Sequence, residues 1–145
     1  MFQVQQQISI DTHGQGLIEI TRDCSRIVAG SGVTTGLVHI FCRHTSASLL
    51  IQENADPDVQ RDLNAFFKRL VPDCDPLFIH TCEGPDDMPA HVKAALTQTT
   101  LTIPIAAGKM ALGTLQGIYL FEHRKRPHAR TLIVHVVGDE RYAQR

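Results

Sequence analysis

The sequence lacks several features that would each assign a broad class. Lysine and arginine do not outnumber the acidic residues, and the formal net charge is −1. There is thus no basic footprint for nucleic acid. The one cationic cluster, Arg124-Lys125-Arg126 with Arg130 nearby, is short and suits a small anion instead. No apolar run exceeds strand length; Leu132 to Val137 is typical, far short of a bilayer span. The start, Met1-Phe2-Gln3-Val4-Gln5-Gln6-Gln7, has no basic stretch followed by an apolar one, so no secretory signal is expected. The expectation is a cytoplasmic protein without membrane or nucleic-acid partners. Cys24, Cys42, Cys74 and Cys82 form no CxxC pair, which argues against a zinc ribbon or a thioredoxin-like motif. In a reducing compartment they are expected as free thiols.

What is present describes an ordinary globular domain. The 145 residues are 43% hydrophobic and 20% charged, enough for one core without staples. With no repeat, linker or low-complexity segment, residues 1–145 read as a single domain.

Period-two alternation at Ile8 and Ile10 predicts a first strand, and Leu17 to Thr21 a second, joined across Gly14-Gln15-Gly16 as a hairpin. Thr21 or Asp23 is placed to cap a short helix that Gly30-Ser31-Gly32 would stop. Val33 to Cys42 reads as a strand with Val38, Ile40 and Cys42 on one face, and Ser48 to Gln52 continues as strand. Asp56-Pro57 opens the clearest helix. The carboxylate can accept orphan N–H groups, and proline fits the first helical position. Val59, Leu63, Phe66, Phe67 and Leu70 form its apolar stripe, and Pro72 ends it. Another helix is predicted from about Pro89. Strands follow at Leu101 to Ile105, Thr114 to His123 and Arg130 to Val137. About seven or eight strands and three helices result. The class is α+β: a mostly antiparallel sheet with the helices packed on one side.

Three stretches concentrate polar groups. In the most informative, His80 and His91 flank Glu83, Asp86 and Asp87 on a loop that runs into a helix start. Neutral imidazoles ligate divalent transition metals, and a carboxylate completes or orients such a shell. Histidine also serves as a general acid or base. The spacing matches no HExxH motif, and acids in a Gly/Pro loop are commonly turn formers, so both readings stand. A second stretch holds His44-Thr45-Ser46. No GxSxG elbow surrounds Ser46 or Ser48, so a serine nucleophile is disfavoured, and these hydroxyls suit satisfying backbone at a strand bend. Asp56 is explained by capping; Glu53 has no such structural task and is the better catalytic candidate. The third stretch runs from Gly113 through Glu122-His123-Arg124. His13 and His128 read as exposed, His39 and His135 as structural strand residues.

In register, His44-Thr45-Ser46-Ala47-Ser48-Leu49, Glu53-Asn54-Ala55-Asp56-Pro57, the segment from His80 through Glu83-Gly84-Pro85-Asp86-Asp87-Met88-Pro89-Ala90-His91-Val92-Lys93, and Gly113-Thr114-Leu115-Gln116-Gly117-Ile118 with Glu122-His123-Arg124 resemble the YjbQ family along nearly the whole chain. The resemblance implies a homotrimeric α+β protein with polar clefts near subunit boundaries. It also implies a secondary thiamine-phosphate synthase activity. It carries over His44, Glu53, His80, Asp87 and His91, with Glu122 and Arg124 following. Two positions depart from the family pattern: Leu115 replaces a common tryptophan, and Pro89 replaces the first histidine of a His-Ala-His pair, which removes one possible ligand.

Three functions are compatible with these residues. In a synthase, Glu53 and Asp87 would hold Mg²⁺ while His44, His80 and Arg124 meet the phosphate oxygens of an anionic substrate. In a hydrolase, His80 and His91 would ligate a transition metal such as zinc that activates water toward a phosphorylated or acylated metabolite. In a non-catalytic trimer, the cluster would bind a metabolite or anion. The expected roles are catalytic for His44, Glu53, Asp87 and Arg124, and metal-ligating for His80 and His91.

Overall fold

The computed structural model describes residues 1–140. The chain runs β1 (Phe2–Thr12), β2 (Gly16–Glu19), α1 (Thr21–Ser31), β3 (Val33–Cys42), β4 (Ala47–Glu53), α2 (Pro57–Leu70), α3 (Asp87–Leu96), β5 (Thr100–Ala106), β6 (Lys109–Met110), β7 (Gln116–Glu122) and β8 (His128–Glu140). The class is α+β, and every strand ladder is antiparallel.

The strands form two sheets rather than one. Five lie in the order β1-β8-β3-β5-β6 and three in the order β2-β7-β4. The expected β1–β2 hairpin does not form: β1 pairs with β8 over its full length, whereas β2 pairs with β7 in the other sheet. The eleven ladder partners of Ile8's strand lie more than a hundred residues away, beyond the reach of a local turn argument; Ile8 itself faces Leu132. The helices accordingly do not share one side of a single sheet. One apolar cluster joins Cys24, Ile27 and Val28 of α1 to Val38, Ile40, Leu132, Val134 and Val136 of the larger sheet and to Leu49, Ile118 and Leu120 of the smaller. This shared burial of α1 and both sheets supplies the main driving force for folding.

Local chemistry explains most element ends. Asp56 caps α2 by accepting the Asp58 N–H at 2.9 Å, with Pro57 at the first position. The start of α1 differs from expectation. Ile20 occupies the cap position without a side-chain bond, while the Thr21 hydroxyl donates to Glu19 and accepts the Ile118 N–H. Gly30 is taken into the helix, and Gly32 ends it in the left-handed region at φ 76°. Pro104 lies inside β5, where its carbonyl accepts from Ala111 on the side away from β3. Its nitrogen faces that same side, so the β3 ladder loses no donor. Gly36 and Gly138 face each other across β3 and β8. A Cβ on Gly36 would stand 2.1 Å from the Val137 carbonyl oxygen, so only glycine permits this approach.

Residues 43–46 carry the chain from the larger sheet to the smaller. Beside them, Glu122 of β7 and Arg130 of β8 form a buried bidentate pair, 0% and 4% exposed in their side chains. The Thr12 hydroxyl donates to Glu122 at 2.6 Å, and Arg130 also donates to the carbonyl and hydroxyl of Ser46. One charge-assisted network thus binds β1, β7, β8 and the sheet-to-sheet crossing. Among the described residues no helix is long and apolar enough to cross a membrane.

Candidate metal centre

The first turn of α3 places Asp87 at the helix N-terminus, where the partial positive charge favours a carboxylate. His91 follows four residues later on the same helix face. His80 arrives from the irregular segment between α2 and α3. His80 Nε2 lies 2.8 Å and His91 Nε2 3.1 Å from the same oxygen, Asp87 Oδ2. The two imidazole rings are 5.6 Å apart at their centroids. Asp87 is 2% exposed in its side chain, whereas His80 and His91 are open at 41% and 31%.

Arg124, at the end of β7, fixes this arrangement. Its Nη1 donates to Asp87 Oδ1 at 2.5 Å, Nε to Asp86 Oδ2 at 3.2 Å and Nη2 to the Glu83 carbonyl at 2.9 Å. Its own N–H donates to Glu122 Oε2 at 3.1 Å, which anchors the clamp to the buried network. Burial works against the charged form of Asp87, but the hydrogen bond from His80 and the positive charge of His91 and Arg124 outweigh it. The carboxyl pKa is held below its usual value. Asp86 is lowered likewise: the Lys125 N–H and Arg124 overcome its desolvation.

The donors of His91 are unequal. Nδ1 lies 2.9 Å from the Thr45 carbonyl, which can only accept, so Nδ1 carries the proton. In the neutral ring, Nε2 is then a lone pair facing a carboxylate oxygen. Only a positive charge between them, a proton or a metal ion, satisfies both. The three ligand atoms lie within 4.8 Å of one another, a spread that brackets the separation of about 3.4 Å between neighbouring ligands around tetrahedral zinc. Two imidazole nitrogens, one carboxylate oxygen and a carbonyl orienting the second ring nitrogen make a donor set that fits a divalent transition metal.

Asp87, His80, His91 and Arg124 therefore come together. His44 and Glu53 lie elsewhere. His44 Nε2 accepts the Thr131 N–H at 2.7 Å, and burial together with Arg130 lowers its pKa, so the ring is a neutral acceptor tying the sheet crossing to β8. Glu53 lies at the far end of β4 from the crossing beside His91, about 20 Å along the strand at ~3.3 Å per residue. It does not share the cluster with Asp87. Glu122, carried over by resemblance, supports the clamp through the Arg124 backbone.

A further pair escaped sequence reading. His123 Nε2 lies 2.8 Å from Ser48 Oγ, and Thr97 Oγ1 approaches the same hydroxyl at 2.5 Å. Ser48 and His123 are 0% and 1% exposed, and His123 Nδ1 is buried without a partner among the described residues. The pairing resembles a nucleophile and base, but solvent and substrate cannot reach it. Burial pushes the His123 pKa down to about 3. No spacing motif links Ser48 to His123; only the antiparallel packing of β4 on β7 does.

A cavity of about 460 Å³ adjoins His80. It is lined by Cys74, Asp75, Pro76, Phe78, Thr81, Gly84, Pro85, Met88 and Pro89, with no lysine or arginine.

The fold and cluster define a two-sheet α+β domain with a solvent-open His/Asp/His centre at a helix start. Residues 6–139 match the model of the family described as UPF0047 protein YjbQ-like. The chain belongs to this YjbQ family. It is 53% identical over 137 residues to the UPF0047 protein sll1880 of Synechocystis, covering 94% of this chain and 93% of that one. A conserved hypothetical protein of Thermus thermophilus superposes with a TM-score of 0.82 at 32% identity, over 91% of this chain and 99% of that one. A YbjQ-like protein of unknown function from Sulfolobus solfataricus shares the fold at a TM-score of 0.86 and 24% identity, over 94% and 98%.

Proposed function

We propose that the protein is a divalent-metal-dependent hydrolase of a small acylated metabolite, with His80, Asp87 and His91 as the ligands. The observation that carries this reading is the convergence of both imidazoles on Asp87 Oδ2 beside an open cavity. Three protein ligands with solvent access are the pattern of a catalytic rather than a closed structural site. When bound, such a metal polarises a carbonyl oxygen and activates water near neutral pH. The chain's own residues do the positioning. Arg124 holds Asp87 by Oδ1 and leaves Oδ2 free to serve the centre. The Thr45 carbonyl sets the His91 tautomer and ring plane. The cavity walls beside His80 are largely apolar and carry no cation, which suits an uncharged acyl group better than a phosphoryl group.

Thiamine-phosphate formation fits these residues less well. Departure of a diphosphate calls for Mg²⁺ on oxygen ligands and for cations on the phosphates. The cluster offers two nitrogens to one carboxylate, and Arg124 is already engaged by Asp86, Asp87 and the Glu83 carbonyl. Assembly as a trimer is part of the same proposal. Leu37 and Phe41, exposed at 38% and 48% on the outer face of β3, support burial of that face by another copy.

The test is metal content and ester hydrolysis of gently purified protein. The expected result is about one zinc-like ion per chain, with cleavage of an aryl acyl ester lost on chelation and restored by zinc. Absence of metal binding, or activity with Mg²⁺ alone on phosphorylated substrates, would overturn the reading.

A further inference from the structure

A second polar site lies on the other side of α3. Lys93 follows His91 by two residues, roughly 200° around a helix at ~100° per residue, so the two side chains leave α3 in opposing directions. Lys93 is 3% exposed, yet its ammonium has no hydrogen bond or ion pair among the described residues. It lines a cavity of about 340 Å³ together with Gln15, Lys68, Val71, Asp73 and Lys125. The only carboxylate in that lining, Asp73, is held by Lys125 Nζ at 2.5 Å. With all three lysines protonated, three ammonium groups against one carboxylate leave a net charge of about +2 on the walls.

A cation on a side chain so far withdrawn from water is costly without a partner, and the cost is relieved by a counter-charge within hydrogen-bonding distance or by loss of the proton. Here the neighbouring charges do not remove the deficit. Burial lowers the Lys93 pKa first, Asp73 offsets part of this, Lys68 and Lys125 lower it again, Asp86 offsets part of that, and the net direction is down. We infer that the cavity lined by Lys68, Lys93 and Lys125 is an anion site that takes the dianionic phosphate group of a small phosphorylated molecule. The excess wall charge matches a dianion better than a carboxylate. Lys93 would meet the phosphate at the cavity floor, while the exposed Lys68 closes on it from α2. The volume leaves room for an organic moiety beyond the phosphate. This cavity shares no lining residue with the one beside His80, so the inference stands apart from the metal reading.

The experiment is calorimetric titration and thermal unfolding of the full chain with inorganic phosphate and, separately, with a small phosphate monoester. Wild-type protein is expected to bind one equivalent per chain and to melt at a higher temperature when either is present. Tighter binding of the ester identifies a phosphorylated metabolite as the occupant; equal binding identifies free phosphate. Lys93→Met keeps the stem and removes the buried charge. It should fold at least as stably as wild type without ligand, lose at least about tenfold in affinity, and lose the phosphate-dependent rise in melting temperature. Lys68→Gln, at an exposed position, should weaken binding less while leaving the unliganded melting temperature unchanged. No phosphate response in wild-type protein, or an undiminished response in Lys93→Met, would overturn the inference.

Discussion

Arg124 grips Asp87 through one carboxylate oxygen only: Nη1 meets Oδ1 at 2.5 Å, and Oδ2 is left to the two histidines. A carboxylate that ionises and orients in this way is a structural tie and, in the proposed metal centre, a ligand, and substitution separates the two roles. Asp87→Asn keeps the shape but removes the charge facing a guanidinium that is 8% exposed. Asp86 remains as a partial counter-ion. The expected loss of stability is about 2 kcal/mol, the scale of a hydrogen bond to a charged group. It is read as a lower urea midpoint at unchanged slope. Metal affinity should fall in the same variant. An Asp87→Asn protein that binds metal as wild type does would remove Asp87 from the ligand set.

Glu53 and His91 give the sharpest contrast between sequence and structure. Both are positions matched by the family resemblance, but only His91 lies in the cluster. Glu53→Gln is therefore expected to leave metal stoichiometry unchanged, whereas His91→Ala should abolish it. Elemental analysis of the two variants purified in parallel decides the point. Loss of metal in Glu53→Gln would require a ligand set that reaches the other end of β4.

Much of the fold was legible because it is written locally. The Asp56-Pro57 helix start, the Val33–Cys42 strand and the His80/Asp87/His91 grouping all follow from caps, alternation and short-range spacing. What was not legible depends on partners far away in sequence. The hairpin expected between β1 and β2 was wrong because each strand finds a longer complementary partner in a different sheet. The apolar stripe of α2 was visible, but Phe66 and Leu70 stay about half exposed, with Phe67 making the edge contact to Phe121. The Ser48–His123 pair and the Lys93 cavity carry no spacing signature, since β4, β7 and α3 bring them together from separate segments.

The Glu122–Arg130 pair illustrates how such a distant contact supports the site. It ties β7 to β8, and through the Arg124 N–H it fixes the residue that clamps Asp87. Burial disfavours the charged Glu122, but Arg130, Thr12 and the Arg124 N–H more than compensate, and its pKa lies below the usual value. Glu122→Gln leaves Arg130 buried without its counter-charge. The expected destabilisation is about 3–5 kcal/mol. In a double-mutant cycle, Arg130→Met in the Glu122→Gln background should recover part of that loss. Additive losses in the cycle would show that the pair contributes no coupling.

His123 makes the acid limb of stability predictable. Its folded pKa is about 3, against about 6.5 for an unperturbed histidine, so the folded state keeps the ring neutral where the unfolded state protonates it. For a base whose folded pKa is depressed, the unfolded chain binds more protons between those values. Stability is then full above about pH 6.5 and falls as the pH drops toward 3. One proton of difference corresponds to about a tenfold change in the folding equilibrium per pH unit. Asp87, Asp86 and Glu122 add their own losses only lower, as the pH falls below the usual carboxylate range. Their contribution separates from that of His123 in the window from about pH 6 to 5. His44, whose pKa burial and Arg130 also lower, adds to the slope in wild type and variant alike. Denaturant unfolding across that window should therefore be steeper by about one proton in wild-type protein than in His123→Phe, which fills the same space beside Phe121 without a titrating ring. An unchanged slope in the variant would mean that His123 protonates in the folded state without cost, and that its buried, unpartnered Nδ1 is reached by water.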